Sequence, residues 1–148
     1  MICVNKSVWF STESINKNFT QTVYDVVTEN DVKCGHGEFW NDKKMKVINN
    51  LICYKDDQYG FLPVVALNLD QVKLTRLGWD HLIYGSVVEI HYPNGKTRKA
   101  IVLDACGQAR FQKKIDLWQY KLDTKEHIEN VSFKFIRKGW KNNSKFKF

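Results

Sequence analysis

Val87-Val88-Glu89-Ile90-His91-Tyr92 and Thr97-Arg98-Lys99-Ala100-Ile101-Val102-Leu103 flank Pro93-Asn94-Gly95-Lys96. An Asn-Gly pair between two β-rich runs is the strongest short-range signal for a β-hairpin. Three more stretches rich in β-branched residues precede it: Gln21 to Val27, Val47 to Tyr54, and Leu62 to Leu67. Val131 to Ile136 alternates apolar with polar residues, as a half-buried strand does. Between the third stretch and the hairpin, Leu69, Val72, Leu74, Leu77 and Trp79 recur at near-helical spacing, with Asn68 as a cap and Gly78 as a stop. That spacing predicts a short helix. Ile115 to Tyr120 reads as a strand-to-helix corner. About six strands and two short helices result, which suits a small barrel with helices in its connections better than a sandwich.

A length of 148 residues fits one core, with residues 1–61 as first strand or strands and loops, 62–136 as the barrel portion and 137–148 as a basic tail. The chain is 43% hydrophobic and 26% charged, which argues against disorder except at the ends. No apolar run is long enough for a membrane helix, and Met1 to Lys6 does not lead into a signal-peptide core. No membrane insertion is expected. If the protein leaves the cell, its export signal lies outside this sequence or it travels another way, such as lysis or carriage on a virus particle.

Lys and Arg number 23 against 16 Asp and Glu, a net charge of +7 that favours anionic partners: nucleic acid, anionic cell wall or acidic glycans. The tail from Arg137 to Phe148 alternates cations with aromatics, which suits either a polyanion contact or a solvated terminus. Cys3, Cys34, Cys53 and Cys106 contain no CxxC, so neither a zinc ribbon nor a thioredoxin site is supported, and free buried thiols stand beside three possible pairings. Cys34 and Cys53 both flank candidate strands and are expected to be adjacent or bridged. Cys34 and His36 lack a second ligand pair, so no metal is expected, and no cofactor either.

Val64-Val65-Ala66-Leu67-Asn68, a short helix, Gly85-Ser86-Val87-Val88-Glu89-Ile90, Pro93-Asn94-Gly95-Lys96-Thr97, Ile101-Val102-Leu103-Asp104-Ala105-Cys106-Gly107 and Ile115-Asp116-Leu117 follow in that order. From Leu62 to Ile136 this series resembles the double-psi β-barrels of expansin domain 1, of rare-lipoprotein-A-like proteins and of the 3D domain of lytic transglycosylases. In those families a strand ends in Asp before a Gly-containing loop, and an apolar-Asp-Leu corner follows about eleven residues later. Here Asp104 and Asp116 are twelve apart, with Asp104-Ala105-Cys106-Gly107 where the 3D group has Asp-Thr-Gly-Gly. The resemblance implies a mainly β, six-stranded double-psi barrel with an N-terminal extension, in which both carboxylates face one polysaccharide groove.

Glycosidic cleavage needs a proton delivered to the leaving oxygen, and a carboxylic acid holds one near neutral pH only when burial or a neighbouring charge raises its pKa. Asp116, set between Ile115 and Leu117, is expected to be that acid. Asp104, beside Gly107 and Gln108, is expected to stay ionised as its partner. Each Asp alone also suits a structural task, Asp104 as a strand-end turn former and Asp116 as a helix cap. Trp118, Tyr120, Thr22, Tyr24 and His36 are candidate glycan contacts, with core packing the alternative for the aromatics and a solvent loop for His36. The implied activity is peptidoglycan cleavage by a lytic transglycosylase or related glycosidase, located outside the cell, in the wall or on a virion. The alternative is a non-catalytic expansin-like module that binds and loosens polysaccharide. Nucleic acid has only charge in its favour. A monomer is expected.

Overall fold

The computed structural model describes residues 15–25, 43–68, 84–106, 113–120 and 127–140. Among these the regular structure is all strand: β1 (Asn16–Asp25), β2 (Met45–Ile48), β3 (Leu51–Asp56), β4 (Gly60–Asn68), β5 (Val87–His91), β6 (Thr97–Cys106), β7 (Lys114–Gln119) and β8 (Ile128–Arg137). The expected helix at Asn68 to Gly78 lies, beyond Asn68, outside the described residues. The expected helical corner at Leu117 does not form, because Ile115, Leu117 and Trp118 alternate between two buried faces and continue as β7. Asp116 is therefore no helix cap.

All eight strands form one sheet that closes in a ring. β1 pairs with β8, β8 with β5, β5 with β6, β6 with β4, β4 with β7, and β7 returns to β1. The β1–β7 and β4–β6 contacts are parallel and the others in this circuit are antiparallel. β3 pairs beside β4, touches β7 at Leu51 and Gln119, and carries β2 on its other edge. The mainly β class is as expected, but the strands number eight against about six.

One source of the difference is Val47 to Tyr54, expected as one strand. Asn49 and Asn50 have φ of 51° and 64° and turn the chain back, pairing Ile48 with Leu51. Positive φ at both central residues is the tight hairpin geometry that follows the twist of its strands, and Asn tolerates it well. The hairpin around Asn94-Gly95 forms as expected. His91 pairs with Thr97, Tyr92 accepts a bond from the Gly95 N–H at 3.0 Å, and Gly95 supplies the positive φ of 85°.

Side-chain alternation sorts the apolar residues into two clusters. Phe19, Val65, Leu67, Val88, Ile90, Ala100, Val102, Ile115, Leu117, Val131 and Phe133 come from the six strands of the circuit and fill its inside. Ile52, Tyr54, Leu62, Val64, Val87, Ile101, Leu103 and Trp118 lie on the outer face, where β3 adds its own apolar residues. Bulges help the ring bend: the β1–β8 register slips between Asn16 and Gln21, with Asn18 at φ 64° and Asn130 at φ 58°. Cys53 is a free buried thiol, donating to the Leu51 carbonyl at 3.7 Å, rather than half of a bridge. Cys34 lies outside the described residues.

Candidate functional site

β7 lies between β1 and β4, and β4 lies between β7 and β6. In register, Thr22 of β1 faces Asp116, Asp116 faces Ala66 of β4, and Ala66 faces Asp104 of β6. Thr22, Asp116 and Ala66 are regular partners and project to the same side; Asp104 joins the row across a register shift that skips Leu103 between the Val65–Val102 and Ala66–Asp104 pairs. Ala66 has the smallest side chain of the four and stands between the two carboxylates. The register brings Asp104 within one strand of the Asp116–Ala66 pair, and its charge acts on Asp116. Asp104 does not sit in a polar loop; β6 runs on to Cys106 and buries Asp104 completely.

The Thr22 hydroxyl donates to Asp116 Oδ1 at 2.7 Å, a buried bond between the first strand and the seventh. Asp116 is 8% exposed. Burial pushes its carboxyl up to about 6; the Thr22 hydroxyl pulls down, the Asp104 charge pushes up and the Lys114 ammonium pulls down. The direction agrees with the sequence expectation, but the source differs. Ile115 and Leu117 point into the ring, away from Asp116, because neighbours along a strand alternate. What desolvates Asp116 is packing on the outer face.

The remaining candidates separate. Trp118 shares the outer face but is fully buried between Ile52, Val64 and Leu103, so its ring has no free face for a sugar. Tyr120 is half-buried at the edge of that cluster, where its N–H donates to the Asn50 carbonyl at 2.8 Å. Tyr24 lies on β1 opposite Trp118 in register. His36 lies outside the described residues. Lys114 was missed by sequence reasoning although its signal was legible: two residues before Asp116 on a strand, it shares the Asp116 face.

A cleft of about 360 Å³ lies elsewhere, lined by Gln21, Tyr92, Pro93, Asn94, Lys96, Thr97, Arg98 and Ile128. It contains neither carboxylate. Gln21 adjoins Thr22 in sequence but turns to the opposite side of β1, where it accepts a bond from the Tyr92 hydroxyl. Among the described residues no group of three or more His, Cys, Asp or Glu side chains could hold a metal ion. Among them, too, no helix is long and apolar enough to cross a membrane. Burial also raises the Cys53 thiol to about 11, which leaves it protonated and poorly nucleophilic at neutral pH.

No protein-family model matches the chain, and no curated protein matches it.

Proposed function

We propose that the chain is a glycan-cleaving enzyme built on a six-stranded double-psi β-barrel, with peptidoglycan as substrate and Asp116 as the proton-transferring residue. The observation that carries this reading is the Thr22, Asp116, Ala66, Asp104 row, in which a buried carboxyl with a pKa of about 6 has a second carboxylate one strand beyond its neighbour. The barrel assignment is supported by the pairing circuit. Replacing β1, β4 and β5 by β6, β7 and β8 maps every contact of the circuit onto another, parallel onto parallel. A six-stranded barrel is what the resemblance of residues 62–136 to expansin-like and 3D-type barrels implies, and a circuit of six strands, with β1 added from outside that span, supports it.

A group with a pKa near 6 is half protonated at pH 6 and about one-tenth protonated at pH 7. It can therefore give a proton and take it back in the same cycle. In the proposed step Asp116 protonates the glycosidic oxygen as the bond from that oxygen to the sugar C1 breaks. The fully buried Asp104 does not touch the sugar; its charge acts through Asp116, helping to hold the proton there until the bond breaks. The same sugar's 6-hydroxyl closes onto C1, its proton returns to Asp116, and the product is a 1,6-anhydro sugar formed without water. Capture by water instead would make the enzyme a glycosidase. Thr22 holds the Asp116 carboxyl in one orientation and tempers its pKa.

The test compares wild type with Asp116→Asn on purified, insoluble murein, scoring both retention of the protein and release of soluble fragments. Release should fall by about 10²-fold or more in the variant while retention persists. Undiminished release by Asp116→Asn would end the catalytic assignment. Retention of wild type without any release would favour an expansin-like binding module, with Asp116 accepting hydrogen bonds from sugar hydroxyls.

A further inference from the structure

Trp140 is 46% exposed yet fixed in place. Its backbone N–H donates to the Tyr84 carbonyl at 3.0 Å. Its ring lies over Gly85: a Cβ built there would fall 2.3, 2.5 and 2.6 Å from Cδ2, Cγ and Cε2, the atoms at the centre of the indole. The indole therefore rests one face on the bare Cα of a glycine, and Gly85, at φ +87°, could not carry a side chain without expelling it. Gly85 is itself anchored, its N–H donating to the Val102 carbonyl at 2.8 Å and its carbonyl accepting from Arg137 Nη2 at 2.7 Å. Tyr54 braces the indole with ring centroids 5.7 Å apart, and the exposed Lys44 places its ammonium 5.7 Å from the Tyr54 centroid.

We infer that Trp140, braced by Tyr54 with the Lys44 ammonium over the Tyr54 ring, is a stacking platform for a pyranose ring of an acidic glycan. A flat apolar face matches the axial C–H face of a sugar, and an aromatic held still in advance loses little freedom when the sugar arrives. Lys44 adds an attraction for a carboxylate carried on the sugar or its neighbour, in keeping with the net charge of +7. This rests on the glycan reading proposed above and extends it to a binding residue remote in sequence from both aspartates.

The experiment follows the five indole N–H resonances of the full chain during titration with soluble muramic-acid-containing oligosaccharides, assigning Trp140 with Trp140→Phe. The Trp140 resonance should shift on binding, and Trp140→Leu should weaken binding by about 10-fold while Trp140→Phe retains most of it. Oligosaccharide binding that leaves the Trp140 resonance unmoved would overturn the platform without touching the role of Asp116. A shift with oligonucleotide but none with glycan would also overturn it. Loss of the catalytic assignment, by undiminished cleavage in Asp116→Asn, would leave a glycan-dependent shift at Trp140 standing.

Discussion

Asp116 concentrates the tension between fold and proposed function. Its carboxyl titrates near 6 in the folded chain and near 3.8 when unfolded. Between those values the folded state holds a proton that the unfolded state has lost, so stability falls as pH rises from about 4 to about 6, and the penalty persists above that. A carboxyl raised from 3.8 to about 6 destabilises the folded chain by roughly 3 kcal/mol once both states are ionised. Asp116→Asn should therefore be more stable than wild type by up to about 3 kcal/mol at pH 7.5 and nearly equal to it at pH 4, as urea melts at the two pH values would measure. Equal stabilities at pH 7.5 would contradict the burial account. Thr22→Val removes the donor that favours the charged form, so an NMR titration should find the Asp116 carboxyl above its wild-type value. At this scale the sequence pointed to the carboxyl that burial raises and to the direction of the change, but not to the residues responsible. Flanking apolar residues face the opposite side of a strand, so the cause depended on pairings between β1, β4, β6 and β7 that no local window contains.

Among the elements, the β5–β6 hairpin was legible because its Asn-Gly turn and both strands are contiguous. The β2–β3 hairpin was overlooked because Asn49-Asn50 interrupts an apolar run without a glycine, yet both residues take the left-handed conformation. Replacing both with Ala should cost about 1–2 kcal/mol per residue, read as a lower denaturation midpoint with an unchanged slope. The β3–β4 turn is tied to β8 by Arg137, whose Nη1 and Nη2 reach Asp56 Oδ2 and Oδ1 at 2.7 and 2.6 Å. Asp56 Oδ2 also accepts the N–H groups of Gln58 and Tyr59. Burial pushes the Asp56 carboxyl up, but these donors and the Arg137 charge outweigh it and hold the pKa below the usual 3.8. A lowered carboxylate pKa contributes stability at neutral pH that is lost as pH falls through the folded value. Arg137→Met should cost about 3 kcal/mol at pH 7 by leaving Asp56 buried without its cation, and adding Asp56→Asn should restore part of it. Full additivity of the two changes would show that the pair is not coupled.

Over the whole molecule, the exchange of β1, β4 and β5 with β6, β7 and β8 leaves the pairing pattern of the circuit unchanged, with the β4–β7 pair at its centre. Under it Thr22 takes the place of Asp104, and Asp116 that of Ala66. The candidate site thus straddles the centre of the circuit, where both parallel pairs approach the central antiparallel one. The sequence indicated a mainly β chain but could not order its strands, because the ring closes through contacts between residues as distant as Thr22 and Asp116. The net charge of +7 adds a long-range term: retention on an anionic wall should weaken markedly between about 0.05 and 0.5 M salt, as screening shortens. The most direct test of a proton-transferring Asp116 is the pH dependence of soluble-fragment release from purified murein, measured for wild type and Thr22→Val. Release should decline as pH rises through about 6 in wild type, and the decline should move to higher pH in Thr22→Val. A rate that is flat between about pH 5 and 8, or an inflection that Thr22→Val leaves in place, would contradict the assignment.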